Sequence, residues 1–374
     1  MDLATIGTVA DLAPLVGENR CIARLGLARM ARGLRPGLAA LLRAAGLRED
    51  LAVDLDTIGY VLAPRLNAAG RMGDAIVAAR LLLADDPAEV QRLAQELEAS
   101  NLARRDVTGT ALGEARLAAE ARHDDAVIMV VGDWPVGVIG LVAGRLAEER
   151  GRAAVVLSSQ TQPWRGSARS PAGFDLAAAF ERGAWLFERY GGHAGAAGCS
   201  LPEDRLEAFR EHMLAVAAEY GPPDTLPPLP LDLVLEAPDI NYPLQRELAL
   251  LLPTGVGNPR PVVGISGLVV SRVRSAAGGH AQLTLRKGLE VIDGIGFGRG
   301  DLLDRVREGD AIDVCGYLAS RTFGGYESLQ LEVRDVAPAG ALAALVAAPG
   351  ATAGAETTTL TASVTLDPML TGAA

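Results

Sequence analysis

The sequence predicts an α/β protein in which a long helix precedes an α/β domain, and a small β-barrel follows that domain. Residues 83–122 are polar with leucines at helical spacing, which is typical of an extended connecting helix. Residues 123–220 alternate strand-like and helical runs, which indicates an α/β domain. Residues 261–337 contain short strand-like runs separated by glycine turns, which indicates a small barrel, of which the OB-fold is one common type.

The remaining segments complete the predicted organisation. Residues 1–82 contain mostly helical patterns, and residues 221–260 combine a proline-rich linker with a further helix. Residues 338–374 lack Lys and Arg and are rich in Ala, Gly and Thr, so we expect a disordered tail. The expected strands are Ala126–Val131, Ala153–Leu157, Val262–Val273, Ala281–Arg286, Val291–Phe297, Ala311–Leu318 and Leu329–Val333. The expected helices are Leu15–Arg48, Asp86–Arg122, Gly137–Arg150, Asp175–Tyr190, Glu203–Tyr220 and Leu302–Glu308.

The bulk properties exclude several classes of protein. A net charge of −11 argues against a protein that coats nucleic acid nonspecifically, because such binding needs many basic contacts, so any polyanion site must be local. The apolar runs are far shorter than the ~20 residues that a membrane-spanning helix needs, so we expect no membrane association. Cys21, Cys199 and Cys315 are few and far apart, which suits a reducing compartment and predicts a cytoplasmic protein.

Two aspartate patterns could belong either to sites or to helix caps. Asp2–Asp11 reads as an apolar strand that ends in a carboxylate, the position where open α/β sheets hold ligands. The alternative is that Asp11 caps the following helix. Asp54 and Asp56 form an Asp-x-Asp pair, but we expect helix capping there, with Asp56 or Thr57 as the N-cap residue.

Two further segments could bind phosphate. In Trp164–Ser170, Ser167 and Arg169 lie on one face of an extended chain, where a hydroxyl and a guanidinium can grip a phosphate together. A polar edge strand is the alternative. In Tyr190–Gly198, four glycines allow backbone amides to approach an anion, and His193 can donate to a phosphate oxygen. A packing turn is the alternative there.

Together these segments resemble one family, the RecJ-type exonucleases of the DHH phosphoesterases. Asp2–Asp11 resembles the fourth DHH motif and Ala63–Met72 a RecJ signature; Trp164–Ser170 and Gly191–Gly198 resemble the DHH-associated domain; His280–Arg286 and Ile292–Gly298 resemble the RecJ OB-fold. The resemblance covers about residues 1–337 in the family's order. It implies that residues 1–82 are the C-terminal part of a DHH core domain, 123–220 the DHH-associated domain and 261–337 the OB-fold.

The resemblance implies a Mn²⁺- or Mg²⁺-dependent enzyme that removes nucleotides from the 5′ end of single-stranded DNA during repair and recombination. Asp11 would be a catalytic metal ligand, and Ser167 and Arg169 would bind the terminal phosphate. The residues expected to contact DNA besides these are Arg65 and Arg71, then Gly191, Gly192, His193, Ala194 and Gly195, and in the barrel Tyr317, Phe323 and Tyr326, with Phe297 expected in the core. Helicases and single-strand-binding protein are the implied partners.

The sequence departs from the family's pattern in two places. In RecJ proteins three motifs, including Asp-His-His, precede the Asp11 segment, and this sequence contains no Asp-His-His. We therefore expect a chain truncated at its N-terminus and inactive alone, because two-metal hydrolysis needs several ligands. The alternative is that another chain supplies the missing domain. Pro135 stands at or next to the place where many relatives have a histidine after the tryptophan. Two alternatives stay open: an oligoribonuclease or cyclic-dinucleotide phosphodiesterase of the wider family, and a non-catalytic module that binds single-stranded nucleic acid.

Overall fold

The structure is a computed structural model that describes residues 1–48, 52–171, 173–220, 229–323 and 326–347, with backbone alone at 322, 323, 326, 346 and 347. The described chain forms two compact units. The first contains Met1–Ala13 and the described residues from Glu18 to Tyr220, and the second contains Pro14–Gly17 and the described residues from 229 onward. In the described part of the chain, no helix is both long and apolar enough to cross a membrane.

The first unit begins with short helices that share one apolar core. The elements are α1 (Asp2–Ala10), α2 (Gly17–Met30), α3 (Pro36–Ala44), a π-helical segment (Thr57–Leu62), α4 (Ala63–Met72) and α5 (Ile76–Leu83). Leu38, Leu41 and Leu62 are fully buried in this core, together with Leu93 and Leu97 of the next helix. The helical character predicted for most of residues 1–82 is therefore confirmed where the structure describes them.

The strand predicted at Asp2–Asp11 is wrong, because this segment is helix α1, and Asp11 is the residue at its C-terminal cap. The β-branched residues of the segment favour a strand locally. The buried side chains Asp2, Thr5 and Ile6 instead follow helical spacing. The Asp2 carboxylate accepts a hydrogen bond from Arg35 (Nε to Oδ2, 2.6 Å), which lowers the pKa of Asp2, and so the start of α1 is fixed by an ion pair.

The prediction that the Asp-x-Asp pair caps a helix is confirmed, but the capping residue differs from the one predicted. Asp54, rather than Asp56 or Thr57, caps the helix: its Oδ1 accepts hydrogen bonds from the Thr57 amide and hydroxyl, both 2.7 Å long. Residues 55 and 56 are already helical. The Asp54 carboxylate therefore serves to begin the helix that continues into α4.

The predicted connecting helix is confirmed as α6, Pro87–Glu120, with 34 residues. Its N-cap Asp86 accepts a hydrogen bond from the Glu89 amide (2.8 Å), and Pro87 occupies the first turn, where its missing N–H costs nothing. At 1.5 Å per residue the helix is roughly 50 Å long. Leu93 and Leu97 lie in the N-terminal core, whereas Ala111 and Ala115 pack against the following domain, so α6 joins two cores.

The α/β domain has three layers. Its elements are β1 (Val127–Gly132), α7 (Val136–Arg150), β2 (Ala153–Ser158), β3 (Trp164–Arg169), α8 (Leu176–Arg182), β4 (Arg189–His193), β5 (Ala196–Leu201) and α9 (Leu206–Tyr220). The sheet order is β1-β2-β3-β5-β4, with β1 and β2 parallel and the other pairs antiparallel. One face packs against α6 and α7, and the other face packs against α8 and α9.

One prediction for this domain is corrected, and one alternative is excluded. The helix predicted at Asp175–Tyr190 ends at Arg182, and a 3₁₀ turn (Ala184–Leu186) and edge strand β4 follow it. Gly183 allows a close approach there, since a Cβ on it would lie 2.7 Å from His212 Nε2. The segment Trp164–Arg169 is an inner strand between β2 and β5, not an edge strand.

The second unit is a barrel. Its strands are β6 (Leu233–Leu235), β7 (Val263–Ala276), β8 (His280–Lys287), β9 (Glu290–Gly296), β10 (Ala311–Phe323) and β11 (Tyr326–Pro338), and its helices are α10 (Tyr242–Ala249), α11 (Leu302–Arg305) and α12 (Ala341–Ala347). Strands β7-β8-β9-β11-β10 close because β10 also pairs with β7, which confirms the five-stranded barrel. Strand β6 pairs with β7 from a segment predicted to be linker and helix.

Part of the predicted disordered tail is ordered in this structure. Ala341–Ala347 forms α12, in which Leu342 is buried against Leu231 and Val262. Two backbone N–H groups at the start of α12 donate to the Asp313 carboxylate, 3.0 Å from Gly340 and 2.8 Å from Leu342. Residues 348–374 lie outside the described residues.

Residues Pro14–Gly17 form a strap, a short segment between α1 and α2 that belongs to the second unit. The Leu15 side chain is buried, and its amide donates to the Val256 carbonyl (2.6 Å). A Cβ on Gly255 would lie 2.7 Å from Leu15 Cδ1, so the leucine packs closely over this glycine.

The three cysteines are free and differ in accessibility, which gives a testable prediction. Burial raises the pKa of Cys199 to about 12 and that of Cys315 to about 11, whereas Cys21 is exposed on α2. Because the thiolate is the reactive form, we expect iodoacetamide at pH 8 to alkylate Cys21 in the folded protein and to alkylate the other two only after unfolding. Peptide mass mapping measures this, and fast labelling of Cys199 would contradict its burial.

Candidate phosphate-binding site

A cavity of about 370 Å³ lies in the first unit between β3, the N-terminal part of α7 and the end of α4. It is lined by Gly70, Arg71, Val136, Gly137, Ile139, Gly140, Arg165, Gly166, Ser167 and Arg169. None of these ten described residues is acidic. A larger cavity of about 610 Å³ elsewhere in the unit is lined by Glu188, Glu203 and Asp204 among others, so its charge does not suit an anion.

Strand β3 positions three of the polar side chains. Arg165, Ser167 and Arg169 alternate with Trp164, Gly166 and Ala168, which are buried on the opposite side of the strand. A Cβ on Gly166 would lie 2.5 Å from Cys199 Sγ, so the back of the strand is closely packed. Because β3 pairs with β2 on one side and β5 on the other, its polar face is held rigidly.

Ser167 and Arg169 are in direct contact, as the sequence predicts. Arg169 Nη1 donates to Ser167 Oγ (3.0 Å) and to the Ala168 carbonyl (2.8 Å). Burial lowers the pKa of Arg169, and the positive charge of Arg71 lowers it further. An anion bound between the two guanidinium groups would offset both effects.

Arg71 reaches the cavity from the end of α4. Its Nη1 donates to the Gly137 carbonyl (3.2 Å), and burial lowers its pKa. A Cβ on Gly137 would lie 2.1 Å from the Arg71 carbonyl oxygen, so the two helix ends touch through backbone atoms. Val136 and Gly137 begin α7, and a helix N-terminus favours a negative charge through its dipole and its first amides.

The structure does not bring Arg65 to this cavity. Its guanidinium pairs through two nitrogens with the Glu98 carboxylate, and its Nη1 donates to the Val61 carbonyl (3.0 Å). Conversely, the cavity contains Arg165 and Gly140, which the sequence interpretation did not include. The alternation that selects Ser167 and Arg169 also selects Arg165, so this residue was accessible from sequence.

The glycine-rich segment forms a β-hairpin in which β4 pairs with β5. Gly191, Gly192 and His193 belong to β4, and the carbonyls of Ala194 and Gly195 accept hydrogen bonds from the Leu176 and Ser170 amides. The pairing places His193 opposite Ala196, which is itself opposite Arg169. Two strand spacings are roughly 10 Å, so His193 and Arg169 lie on the same face of the sheet about that far apart.

The neighbouring row of the sheet has little side-chain bulk. Ser167 pairs with Gly198, and Gly198 pairs with Gly191. A Cβ on Gly191 would meet no atom within 4 Å. The glycines therefore leave an open floor beside Ser167, and anion binding by their backbone amides stays a prediction.

Asp11 is exposed at the end of α1, and its amide donates to the Gly7 carbonyl (3.0 Å). Within the ranges that the structure describes, no group of three or more His, Cys, Asp or Glu side chains is placed to hold a metal ion. A two-metal centre needs several such ligands, so the described residues do not by themselves fit the implied ions. The role of Asp11 as a metal ligand stays a prediction.

The segment after β1 is fixed by Trp134. This side chain is buried, and its indole Nε1 donates to Glu114 Oε2 (2.7 Å) on α6. Pro135 is the N-cap residue of α7, with φ of −57°. The proline thus occupies the position directly before the helix N-terminus that faces the cavity.

The aromatic residues predicted to stack on bases in the barrel fall into two groups. The ring of Tyr317 is half-buried, with the Arg260 guanidinium 4.5 Å and the Arg334 guanidinium 5.8 Å from its centroid, so the ring is covered by cations. The side chains of Phe323 and Tyr326 lie outside the described residues. Phe297 is not in the core as predicted: it is 58% exposed and packs edge-on against His280.

Two protein-family models match this chain, one in the α/β domain and one in the barrel. The family described as the DHHA1 domain matches residues 123–219, and the RecJ OB domain matches residues 231–335. The OB match begins before the predicted boundary at 261 and includes β6 and α10.

Whole-chain relatives agree with these domains. The single-stranded-DNA-specific exonuclease RecJ of Bacillus subtilis is 33% identical over 90% of this chain and 44% of the relative, and that of Escherichia coli is 32% identical over 90% and 61%. The crystal structure of RecJ in complex with Mn²⁺ from Thermus thermophilus superposes with a TM-score of 0.77 and 32% identity, over 90% of this chain and 49% of that one. The chain thus spans about half the length of the RecJ relatives it matches, and the matched part includes regions similar to the DHHA1 domain and the RecJ OB domain.

Proposed function

We propose that this chain is the strand-holding part of a single-stranded-DNA-specific exonuclease and that the cavity binds the phosphate at the 5′ end of the strand. The observation that carries this proposal is the convergence of Arg71, Ser167 and Arg169 on one cavity whose described lining contains no carboxylate. Guanidinium groups match phosphate oxygens as a planar fork, and a hydroxyl adds a further hydrogen bond. Recognition of that end gives 5′-to-3′ digestion.

Each residue would act on a different part of the strand end. Arg169 and Arg71 would bind phosphate oxygens, Ser167 would donate a hydrogen bond, and the first amides of α7 would face the remaining charge. The glycine floor beside Ser167 would admit the nucleotide that follows, with His193 at its edge. The barrel would also bind single-stranded DNA, as OB-folds do.

Hydrolysis is proposed to require Mn²⁺ or Mg²⁺, since related RecJ structures are described in complex with each ion. Asp11 would contribute one carboxylate. Because one carboxylate cannot hold two ions, hydrolysis needs ligands besides those in the described residues. The residues of this chain would hold the strand in that reaction. Cooperation with a helicase or single-strand-binding protein and a cytoplasmic location stay predictions.

The proposal is tested with the 374-residue chain and two oligonucleotides that differ only at the 5′ end. We expect fluorescence anisotropy to show that a 5′-phosphorylated deoxyoligonucleotide binds at least about 10-fold more tightly than its 5′-hydroxyl form. Equal affinities would contradict a terminal-phosphate site.

A second candidate function is single-strand binding without hydrolysis, favoured by the absence of a metal-holding group among the described residues. We expect no Mn²⁺-dependent degradation by this chain alone, and rapid degradation would exclude this candidate. Preferential cleavage of di- and trinucleotides would instead favour an oligoribonuclease or cyclic-dinucleotide phosphodiesterase, an alternative that the OB domain disfavours.

A further inference from the structure

The connecting helix α6 has polar residues in the middle of its buried stripe. Leu93 and Leu97 pack in the N-terminal core, and Ala111 and Ala115 pack in the next. Continuing this spacing of three and four residues between the two pairs gives Asn101, Arg104 and Thr108. The side of a helix that packs against protein is expected to be apolar, so an arginine and a threonine at the centre of this stripe are unexpected.

Arg104 and Thr108 have hydrogen-bonding atoms that the fold leaves unsatisfied. Arg104 Nη2 donates to Asn101 Oδ1 (2.9 Å). Its Nε and the hydroxyl of Thr108 are buried from solvent, and neither makes a hydrogen bond to any of the described residues. A buried polar atom without a partner is destabilising, and the two atoms lie one helical turn apart on one face.

The charge of Arg104 is also disfavoured by its surroundings. Burial lowers its pKa, and the positive charges of Arg71, Arg105 and Arg65 lower it further. Arg65 is itself paired with Glu98, whereas the described side-chain hydrogen bond of Arg71 is to the neutral Gly137 carbonyl. The chain thus holds a cation beside another cation, an arrangement that an external anion would stabilise.

The position of Arg104 relates it to the phosphate cavity. Helix α4, which ends with Arg71 and Met72, packs along α6. Arg71 lines the phosphate cavity together with Arg169. The charge of Arg71 lowers the pKa of Arg169 and of Arg104 alike, so Arg104 on α6 is close to a cation that borders the cavity.

We propose that Arg104 and Thr108 form a second phosphate subsite, which binds an internal phosphodiester of the same single strand whose terminal phosphate occupies the Arg169 cavity. This inference rests on the proposed function. A polyanionic strand, unlike a free phosphate, supplies several charges at fixed spacing and satisfies both subsites at once. The long helix then has a direct role in holding DNA besides joining two cores.

The experiment compares Arg104→Gln with Arg105→Gln, a matched control that removes the same charge from the next, exposed position. The probe is a 5′-phosphorylated hexathymidylate, titrated at several salt concentrations. For Arg104→Gln we expect at least about 10-fold weaker binding and a salt slope smaller by about 0.7, the value for one phosphate contact on a single strand. For Arg105→Gln we expect less than a twofold change and an unaltered slope. Equal effects of the two substitutions would indicate a diffuse charge effect and overturn the subsite.

Two further measurements separate binding from structure. Thr108→Val replaces the unsatisfied hydroxyl with a methyl group, so we expect weaker hexathymidylate binding together with an equal or higher melting temperature. Arg104→Gln should not lower the melting temperature, because it removes a disfavoured charge. A lower melting temperature with an unchanged salt slope would show that Arg104 only supports the fold, and would overturn the proposal.

The effect of Arg169→Gln distinguishes failure of the terminal-phosphate site from failure of the second subsite alone. Inorganic phosphate, which reports on the cavity alone, should compete for wild type and Arg104→Gln equally. If Arg169→Gln leaves binding unchanged, the terminal-phosphate proposal fails. If Arg169→Gln weakens binding while Arg104→Gln behaves like Arg105→Gln, the second subsite alone fails.

Discussion

Replacing Arg169 with Gln is expected to weaken binding of a 5′-phosphorylated oligonucleotide about 30-fold and binding of its 5′-hydroxyl form less than threefold. Hydrogen bonds to charged groups contribute about 1.5–3 kcal/mol, which corresponds to roughly 10- to 150-fold in affinity. The effect is specific to the phosphorylated end because Arg169 lies in the cavity beside Ser167. Arg169→Lys should recover only part of the affinity, since an ammonium group keeps the charge but lacks the planar fork.

Isothermal titration calorimetry or anisotropy with the two oligonucleotides measures this difference. Arg145→Gln is the control, because Arg145 is an exposed residue of α7 whose only described ion pair is with Glu148 on the same helix, and it is not among the residues that line the cavity. We expect the control to preserve the preference for phosphorylated ends. A preference that survives Arg169→Gln would remove the cavity from consideration as the end-binding site.

Gly137→Ala is expected to lower both the stability of the protein and its affinity for phosphate. The new Cβ would lie 2.1 Å from the Arg71 carbonyl oxygen, which is a backbone atom and cannot rotate away. Helices α4 and α7 would have to separate, and such overpacking costs about 1–3 kcal/mol. The separation would also shift Arg71 relative to Ser167 and Arg169, so binding of the phosphorylated oligonucleotide should fall together with the melting temperature.

Gly144→Ala on the same helix is the matched control. Its Cβ would approach no atom closer than 3.9 Å, at Arg169 Cγ, so the contact is ordinary. Alanine is favoured over glycine inside a helix by about 0.5–1 kcal/mol, and we therefore expect a slightly higher melting temperature and unchanged binding. Thermal unfolding followed by circular dichroism compares the two variants, and equal melting temperatures would show that the α4–α7 contact can relax.

Local sequence patterns predicted the structure correctly where the environment of a residue is set by its neighbours along the chain. Strict alternation along β3 predicted the shared face of Ser167 and Arg169, and polar helical periodicity predicted α6 almost to its ends. The error at α1 arose because its β-branched residues match a strand locally. The burial of Asp2, Thr5 and Ile6 depends on α2 and on Arg35, which are distant in sequence.

The parts of the site that sequence did not show depend on tertiary contacts. The approach of Arg71 to Arg169 requires α4 to meet the start of α7, and no local pattern encodes that contact. Likewise, His193 shares a sheet row with Arg169 only through the register of β4 and β5. In the sequence, Arg104 and Thr108 are visible as a polar interruption of the apolar stripe of α6. Their proposed role in binding phosphate could be inferred only once the neighbouring charges were located.

The strap at Pro14–Gly17 limits how this protein can be divided or recombined. Because Leu15 is buried under Gly255 in the second unit, that unit is not encoded by one uninterrupted stretch of the gene. A polypeptide that started at residue 229 would expose the apolar notch that Leu15 fills, and its loss would leave the Val256 carbonyl without the amide that donates to it. If the barrel were exchanged between relatives by a single crossover in the proline-rich segment, Leu15 would come from one relative and Gly255 from the other. The buried contact between these two residues, about 240 positions apart in the chain, would then be mismatched.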